Sequence, residues 1–385
     1  MKNRRNTIQV GVGASFLSLM LILGGCGSNA SEVATTPAST AETNAQAAGT
    51  TEEAATPAEK LKVETSFYPM YEFARNVGGD LADVELLVPA GTEPHDWEPT
   101  PQDIAKIEEA DLLVYNGAGM ESWVDQVLDA SANGDLLAVE ASKGIDIMEG
   151  SEEEGHDHGH DEATEEGHDH DHDHDAAVEE DHDHDHDEVA TEEHDHDHAE
   201  EAGHAHSHDH GGLDPHVWLS PALAVEEVRG IEKAFAEKDP ANADQYKSNA
   251  DAYVAKLEAL DTEFKDGLSG TKRTDFITQH AAFGYLAREY GLTQVPIAGL
   301  SPEQEPSAQE MAEIVEFAKE HDVKTIFFET LVSSKVAEAI ASEIGAKTAV
   351  LNPLEGLTEE EIAAGEDYLS IMRANLAALQ AALNE

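Results

Sequence analysis

The chain has 385 residues, with 81 Asp or Glu against 22 Lys or Arg, so its formal net charge at pH 7 is −59. This balance argues against nucleic acid as a partner, since phosphate binding needs basic patches, and it suits cation attraction and solubility. The length leaves room for two ordinary domains once tails and linkers are set aside.

The first 25 residues have the features of a bacterial lipoprotein signal peptide. A basic start at 2–5 precedes an apolar stretch over 8–23, which is too short to span a membrane comfortably. The stretch ends in Leu-Gly-Gly-Cys, and Cys26 is the only cysteine of the chain. The alternative is a plain secretory signal with an incidental cysteine. We expect Cys26 to be lipidated, which leaves no free thiol and excludes zinc held by thiolates.

Two segments have compositions that cannot form a core. Residues 26–59 are rich in Ala, Thr, Ser, Glu and Pro, as in a disordered tether between lipid and domain. Residues 151–210 hold 17 of the 21 histidines and no Lys or Arg, in tracts of alternating His and Asp. These tracts have no apolar face at any period, so they predict a long mobile loop inserted into a folded protein.

Between these two segments, predicted strands alternate with short helices. The strands cover residues 61–65, 84–88 and 111–115. A helix that begins at Pro101 carries Ile104 and Ile107 on one face. The alternation predicts an α/β lobe with a largely parallel sheet.

A long amphipathic helix is predicted after the histidine-rich segment. One helix begins at Pro221, and Asp239-Pro240 then provides a cap followed by proline at the first helical position. The next apolar residues recur every three or four positions on a helix of about seven turns that ends near Gly267 or Gly270. These residues are Tyr246, Ala250, Tyr253, Leu257, Leu260, Phe264 and Leu268.

A second α/β lobe follows the long helix. Its predicted strands cover residues 275–278, 325–328 and 348–351. A capping box at Ser307–Glu310 opens one helix, a second helix ends at Gly345, and a C-terminal helix completes the chain.

Four histidines lie outside the low-complexity segment. His95 and His280 each follow a predicted strand, one in each lobe, where ligands of open α/β sheets gather. His216 lies in a turn that opens a helix, whereas His321 falls at a helix end, where a histidine usually interacts with carbonyls and the dipole. Any one of them fits an ordinary buried or surface histidine. Three in such settings favour a metal site.

Four runs of sequence together resemble the zinc/manganese class of ABC-importer substrate-binding lipoproteins. They are EPHDWEPTP at 93–101, DPHVWLSP at 214–221, HAAFGY at 280–285 with YGL at 290–292, and LNPLEGL at 351–357. The resemblance covers residues 60 to 385, apart from the histidine-rich segment. It implies an α/β fold of two Rossmann-like lobes joined by one long rigid helix, with the metal site in the inter-lobe cleft.

The expected organisation combines the composition with this resemblance. It comprises a lipoprotein signal peptide at 1–25, a disordered tether at 26–59, an N-terminal α/β lobe at 60–238 that contains a disordered His/Asp-rich loop at 151–210, a linking backbone helix at 239–268 and a C-terminal α/β lobe at 269–385.

The resemblance also implies the metal ligands. His95, His216 and His280 match the three histidine ligands of zinc-binding members, and Glu355 matches a carboxylate ligand of some of them. Other members complete the shell with water or with an acidic residue beside the first histidine. Pro94 directly precedes His95 here, which argues against the second arrangement.

The donor set favours zinc over manganese. Three neutral imidazoles and one carboxylate suit tetrahedral zinc, whereas manganese prefers more oxygen ligands. In the family that this chain resembles, the manganese-type members have a carboxylate at the position of His280 and an aspartate near Asn352. Copper and nickel bind such sites more tightly, so metal supply and partner choice must exclude them.

We therefore expect a high-affinity extracytoplasmic zinc-binding protein that delivers Zn²⁺ to an ABC importer. The expected partners are the permease and, through lipidated Cys26, the cell membrane; the protein is expected to be a monomer and not an enzyme. The alternatives are a manganese-type carrier, a cell-surface zinc buffer or adhesin, and a zinc hydrolase with an open water position.

Two further features have alternative interpretations. The loop over 151–210 is either a weak multi-site zinc collector or sensor beside the cleft, or a solubilising spacer. Trp97 and Trp218, each two residues after a predicted ligand, either wall the site or belong to the ordinary core.

Overall fold

A computed structural model describes residues 60–150 and 212–385 of the chain. The predicted signal peptide, the lipidation of Cys26, the tether and the His/Asp-rich loop at 151–210 lie outside the described residues. The predictions for these segments therefore stay predictions.

The first lobe is built on a four-stranded sheet whose strand pairs are all parallel. The strands are β1 (Leu61–Thr65), β2 (Ala82–Leu86), β3 (Leu112–Tyr115) and β4 (Leu137–Glu140), in the order β2-β1-β3-β4. The helices between them are α1 (Tyr68–Gly78), α2 (Pro101–Glu109) and α3 (Val124–Ala130). The predicted parallel α/β lobe is confirmed.

The boundaries of β2 differ from the prediction. The strand begins two residues earlier than predicted, because Ala82 and Asp83 continue the register with β1 although they are not strongly apolar. Val88 lies beyond the strand, yet its N–H still donates to Ser66 O at 3.1 Å. The capping box at Thr100 with proline in the first turn confirms the start of α2.

The two isoleucines on one face of α2 differ in burial. Ile107 is fully buried, whereas Ile104 is 38% exposed. The side chain of Ile107 packs in a small cluster with Leu87 and Leu113, and this cluster does not reach one turn back along the helix.

The second lobe repeats the arrangement of the first. Its sheet has four parallel strands, β5 (Asp275–Thr278), β6 (Thr293–Pro296), β7 (Thr325–Phe328) and β8 (Lys347–Val350), in the order β6-β5-β7-β8. The flanking helices are α6 (Gly284–Tyr290), α7 (Ala308–Glu320), α8 (Lys335–Ile344), α9 (Glu359–Ala364) and α10 (Tyr368–Leu383). The numbers α4 and α5 belong to two helices that precede this lobe in the chain. The capping box at Ser307 and the left-handed Gly345 after α8 agree with the prediction.

Two long helices follow in the chain, α4 (Pro221–Lys238) and α5 (Ala243–Leu268), and α5 connects the lobes. Asp239 caps a short 3₁₀ turn over Pro240–Asn242 instead of α5 itself, so the long helix begins three residues later than predicted. The predicted apolar stripe of α5 is buried along its whole length. It packs against α1 and α4 on the first lobe and against α6 and α10 on the second.

The fold therefore has two parallel-sheet α/β lobes and one long helix that contacts both, as predicted. A single large core of buried residues runs from Val63 in β1 through Phe264 in α5 to Leu379 in α10. The predicted limits of the segments, at 238 and 268, stay predictions. Within the described part of the chain, the helices lack the combination of length and apolarity that a membrane crossing requires.

Candidate metal centre

Three imidazoles and one carboxylate from both lobes form a single buried cluster. Ligand atoms of His95, His216, His280 and Glu355 all lie within 4.8 Å of one another. None of the four residues is more than 2% exposed. The structure thus brings together all four residues that the sequence predicted as metal ligands.

The spacing of these atoms fits a small tetrahedral ion. Oε1 of Glu355 lies 3.3 Å from Nε2 of His95 and 3.2 Å from Nε2 of both His216 and His280. The Nε2 atoms of His216 and His280 are 3.3 Å apart. A tetrahedral site with metal–ligand distances of about 2.0–2.1 Å has edges of about 3.3–3.4 Å. Four of the six edges among the donor atoms therefore have the length that tetrahedral coordination requires.

The two sheets place three of these four residues at their carboxyl ends. His95 lies in the loop after β2, and His280 lies two residues after β5. Glu355 lies in the loop after β8, and His216 is the residue before a 3₁₀ turn that leads into α4. Because ligands of parallel α/β sheets bind at the carboxyl ends of the strands, the cleft between the lobes receives a ligand from each of these loops.

Asn352 shapes the loop that carries Glu355. Its Oδ1 accepts from the N–H of Leu354 at 2.7 Å, and its amide nitrogen donates to Glu361 Oε1 at 2.9 Å. Leu354 has a φ of 60°, a left-handed conformation that is uncommon for a leucine. The hydrogen bond from its N–H to Asn352 helps to hold this turn. Asn352 therefore acts on the loop and stands outside the four-residue cluster.

Carboxylates stand behind two of the three imidazoles. Nδ1 of His216 lies 2.8 Å from Oδ1 of Asp214, and Nδ1 of His280 lies 2.6 Å from Oε1 of Glu329. A carboxylate only accepts, so Nδ1 carries a proton in both rings, and Nε2 is the atom left to bind a metal ion. This arrangement of carboxylate, imidazole and metal fixes ring orientation in many metal sites.

A further carboxylate lies beside His95. Both oxygens of Glu93 accept from the backbone N–H of His95 at 3.1 Å, and Oε1 lies 3.9 Å from its Nε2. Pro94 directly precedes His95, but the turn brings the acid one position earlier, Glu93, towards the ring. Burial, followed by the nearby charge of Glu355, raises the pKa of Glu93 to about 8.

The imidazoles differ in their affinity for protons. Burial lowers the pKa of His95 to about 4. Burial also opposes the charged form of His216, but hydrogen bonds with Asp214 and Glu355 leave its pKa raised. For His280, the charges of Glu329 and Glu355 outweigh the cost of burial and raise the pKa well above its usual value.

The carboxylate of Glu355 is stabilised as an anion. Burial alone disfavours its charge, but the imidazoles of His280 and His95 hold the pKa of Glu355 well below its usual range. The cluster therefore contains an ionised carboxylate next to three imidazole nitrogens. Protons and a metal cation compete for these nitrogens.

The structure also shows the surroundings of Trp97, Trp218 and His321, each of which packs against an aromatic ring. Trp218 is fully buried, its ring meets that of Phe67 edge-on at 4.9 Å, and its Nε1–H donates to Pro353 O at 2.8 Å. The ring centroid of Trp218 is also 5.2 Å from that of His216. Trp218 therefore belongs to the core and also forms one wall of the metal site. Trp97 instead packs on Trp123. His321 directly follows α7, at the helix end where it was predicted, and its ring stacks on Phe317.

Sequence reasoning missed Asp214, Glu329 and Glu93 as members of the site. Asp214 lies two residues before His216, and Glu93 lies two residues before His95. The signal for Glu329 is its position directly after β7, at the same edge of the sheet as His280.

Comparison with known proteins agrees with this geometry. The family model described as ZnuA, the periplasmic component A of the zinc-uptake complex, matches residues 63–382. The high-affinity zinc uptake system protein ZnuA of Bacillus subtilis strain 168 is 48% identical over 325 residues, which are 84% of this chain and 88% of that protein. The zinc-binding lipoprotein AdcA of Streptococcus pneumoniae serotype 4 is 41% identical over 321 residues, 83% of this chain but 55% of AdcA.

A solved structure shares the fold as well. The Zn(II)-bound ZnuA-like domain of Streptococcus pneumoniae AdcA has a TM-score of 0.63 and 37% identity, covering 85% of this chain and all of that domain. The family match extends over both lobes and includes all four residues of the cluster. This chain therefore belongs to the ZnuA family of periplasmic zinc-uptake components.

Proposed function

We propose that this protein captures one Zn²⁺ ion between its lobes, outside the cytoplasmic membrane, and delivers it to an ABC importer. The observation that carries the proposal is the buried cluster of three Nε2 atoms around Glu355 Oε1, with edges of 3.2–3.3 Å. Relatives named as zinc-uptake and zinc-binding proteins support the same metal.

The proposed ligands are His95, His216, His280 and Glu355. Each contributes one atom, so zinc receives three neutral imidazoles and one negative charge. Asp214 and Glu329 add negative charge behind two of the rings, which compensates the remaining charge of the ion and strengthens the rings as donors. The lack of exposure of all four ligands keeps water away from these bonds.

The same geometry selects against other roles. Manganese favours a larger, oxygen-rich shell, and the cluster has one oxygen donor among four. A hydrolytic zinc site keeps a coordination position for water, whereas Glu355 supplies the fourth donor here. We therefore propose transport and not catalysis as the role of the bound ion.

Release follows from the way in which the lobes share the site. His95 and His216 belong to the first lobe, and His280 and Glu355 belong to the second. Separation of the lobes would divide the ligands into two pairs, neither of which holds zinc tightly. Glu355 also lines a cavity of about 630 Å³ that is bordered by Tyr68 and Arg75 of α1. We propose that the docked permease promotes this separation.

The proposed location and partners depend on the sequence. Lipidation of Cys26 would anchor the protein to the outer face of the cell membrane, with the permease of a zinc importer as its partner and the protein acting as a monomer. Zinc uptake by cells that lack the protein should fall at low external zinc and recover with the wild-type chain but not with His280→Ala. Unchanged uptake would instead favour a surface buffer or adhesin.

Zinc titration tests the proposed site. The variant to use lacks residues 1–25 and 151–210; the second deletion is feasible because Gly150 N lies 2.6 Å from Gly212 O. We expect one tightly bound zinc per chain, which is lost in His95→Ala, His216→Ala or His280→Ala. His321→Ala, which removes a histidine outside the cluster, should bind as the parent does. Absence of tight binding without 151–210 would make the histidine tract the main binding element.

A further inference from the structure

Asp214, the carboxylate behind His216, is held by the opposite lobe. The hydroxyl of Tyr285, in α6 of the second lobe, donates to the backbone carbonyl of Asp214 at 2.8 Å. The same hydroxyl accepts from the backbone N–H of Met148 at 2.8 Å. Tyr285 is fully buried, so its hydroxyl depends on these partners for its hydrogen bonds.

Met148 and Asp214 are themselves paired. The N–H of Asp214 donates to Met148 O at 2.9 Å, and an antiparallel bridge joins Glu149 to Leu213. Tyr285 therefore contacts both segments of this short antiparallel ladder, which belongs to the first lobe. The ladder ends at Asp214, two residues before His216. One hydroxyl from the second lobe fixes the backbone from which Asp214 extends.

The side chain of Asp214 packs against α6, the helix that carries Tyr285. A Cβ atom added to Gly284 would lie 2.7 Å from Oδ2 of Asp214, closer than side-chain carbons approach their neighbours. The carboxylate thus packs directly over Gly284, while its Oδ1 accepts from both the ring and the backbone N–H of His216. Gly284 and Tyr285 together form a seat for the residue that orients His216.

We propose that Tyr285 is a positioning residue for metal capture, which makes the orientation of His216 depend on contact between the two lobes. The inference rests on the proposed function, because it assigns a role around the proposed zinc ligand. When the lobes meet, the hydroxyl fixes Asp214 and Asp214 fixes the ring. When they part, the hydrogen bond to Asp214 breaks, so His216 loses its fixed orientation in the same step that divides the ligands.

The test is Tyr285→Phe, which removes only the hydroxyl oxygen, with Tyr290→Phe as the matched control. Tyr290 lies on the same helix, and its hydroxyl donates to Asp261 Oδ1 at 3.1 Å. Outer-shell changes typically reduce metal affinity by about 10–100-fold, so we expect a loss in that range for Tyr285→Phe, mainly through faster zinc dissociation. The control should stay within about twofold of the wild type, since the hydroxyl of Tyr290 donates to Asp261 on α5.

The cobalt-substituted protein provides a readout that general destabilisation does not move. We expect the d–d absorption bands of Co²⁺ to change in Tyr285→Phe and to stay unchanged in Tyr290→Phe, because the ring of His216 tilts in the first variant alone. Gly284→Ala, which displaces the Asp214 carboxylate, should change the spectrum too. These results would support a positioning role.

Wild-type cobalt bands and a wild-type zinc dissociation rate in Tyr285→Phe would overturn the inference, even if the thermal stability of that variant fell. Such a result would leave the proposed function intact. Failure of the wild-type protein to bind zinc through its cluster would instead overturn the proposed function itself.

Discussion

Nδ1 of His280 lies 2.6 Å from Oε1 of Glu329, and the backbone N–H of His280 donates to the same oxygen at 3.1 Å. The two residues follow the paired strands β5 and β7, so the sheet itself sets their separation. The carboxylate thereby fixes both the tautomer and the direction of the ring, which leaves Nε2 directed at Glu355.

Replacement of Glu329 tests this arrangement. Glu329→Gln retains an oxygen acceptor but removes the negative charge behind His280. We expect the zinc affinity to fall by about tenfold or more, as is typical of residues behind a metal ligand, in competition titrations with a chelator. The control is Glu360→Gln, which removes the same charge from an exposed position. Equal affinities for the two variants would contradict the proposed role of Glu329.

Glu355 should contribute more than any residue behind the ligands. Glu355→Gln keeps the shape of the side chain but replaces the anionic oxygen with a neutral one in a fully buried cluster. We expect the affinity for zinc to fall beyond the range of about 10–100-fold that outer-shell changes produce. A reduction no larger than that of Glu329→Gln would indicate that water, and not Glu355, completes the coordination shell.

Zinc binding should be coupled to proton release. The raised pKa values of His216 and His280 mean that these rings bind a proton more readily than an ordinary histidine, whereas the pKa of His95 is lowered to about 4. Zinc must displace the protons, so its affinity should fall as the pH decreases from about 7.5 to 5.5. Calorimetric titrations in buffers of different ionisation enthalpy measure the protons released. A constant affinity across this interval would contradict the coupling.

Glu227 provides a prediction about stability. This residue of α4 is fully buried, and neither carboxyl oxygen has a hydrogen-bond partner among the described residues. Burial, followed by the charge of Glu121, raises the pKa of Glu227 well above its usual value. An acid whose pKa is raised on folding stabilises the fold least at high pH, because the unfolded chain ionises first.

Glu227→Gln should therefore increase the free energy of unfolding at neutral pH, by an amount on the order of 1–3 kcal/mol. The gain should shrink as the pH falls towards about 4, where the carboxyl is protonated in both states. Urea unfolding of the metal-free protein at several pH values measures it. Glu226→Gln, on the exposed face of the same helix, should show no such pH dependence. A gain that does not vary with pH would contradict the assignment.

Much of the fold was predictable because local patterns and tertiary structure agree. The strands β1, β5 and β7 were predicted with both boundaries correct, since each contains apolar β-branched or aromatic residues within a short segment. The strand β6 was missed because its Thr-Gln-Val-Pro sequence is mostly polar and ends in proline. The helix α6 was missed because it has only seven residues and begins with glycine.

The residues of the metal site also differ in whether the sequence alone could indicate them. Strand-end positions indicated His95 and His280, a turn that opens a helix indicated His216, and the resemblance to a known family supplied Glu355. Glu329 could not be predicted from local pattern, since it is 49 residues from His280 and reaches it only because β5 and β7 are neighbours in the sheet. The link from Tyr285 to Asp214 spans 71 residues and depends on how the two lobes meet.

The most direct test of the metal centre is anomalous diffraction at the zinc absorption edge from crystals of the zinc-loaded chain. We predict one peak between the lobes, about 2.0–2.2 Å from Nε2 of His95, His216 and His280 and from a carboxylate oxygen of Glu355. A peak that lacks one of these four ligands, or that lies away from the cleft, would contradict the account.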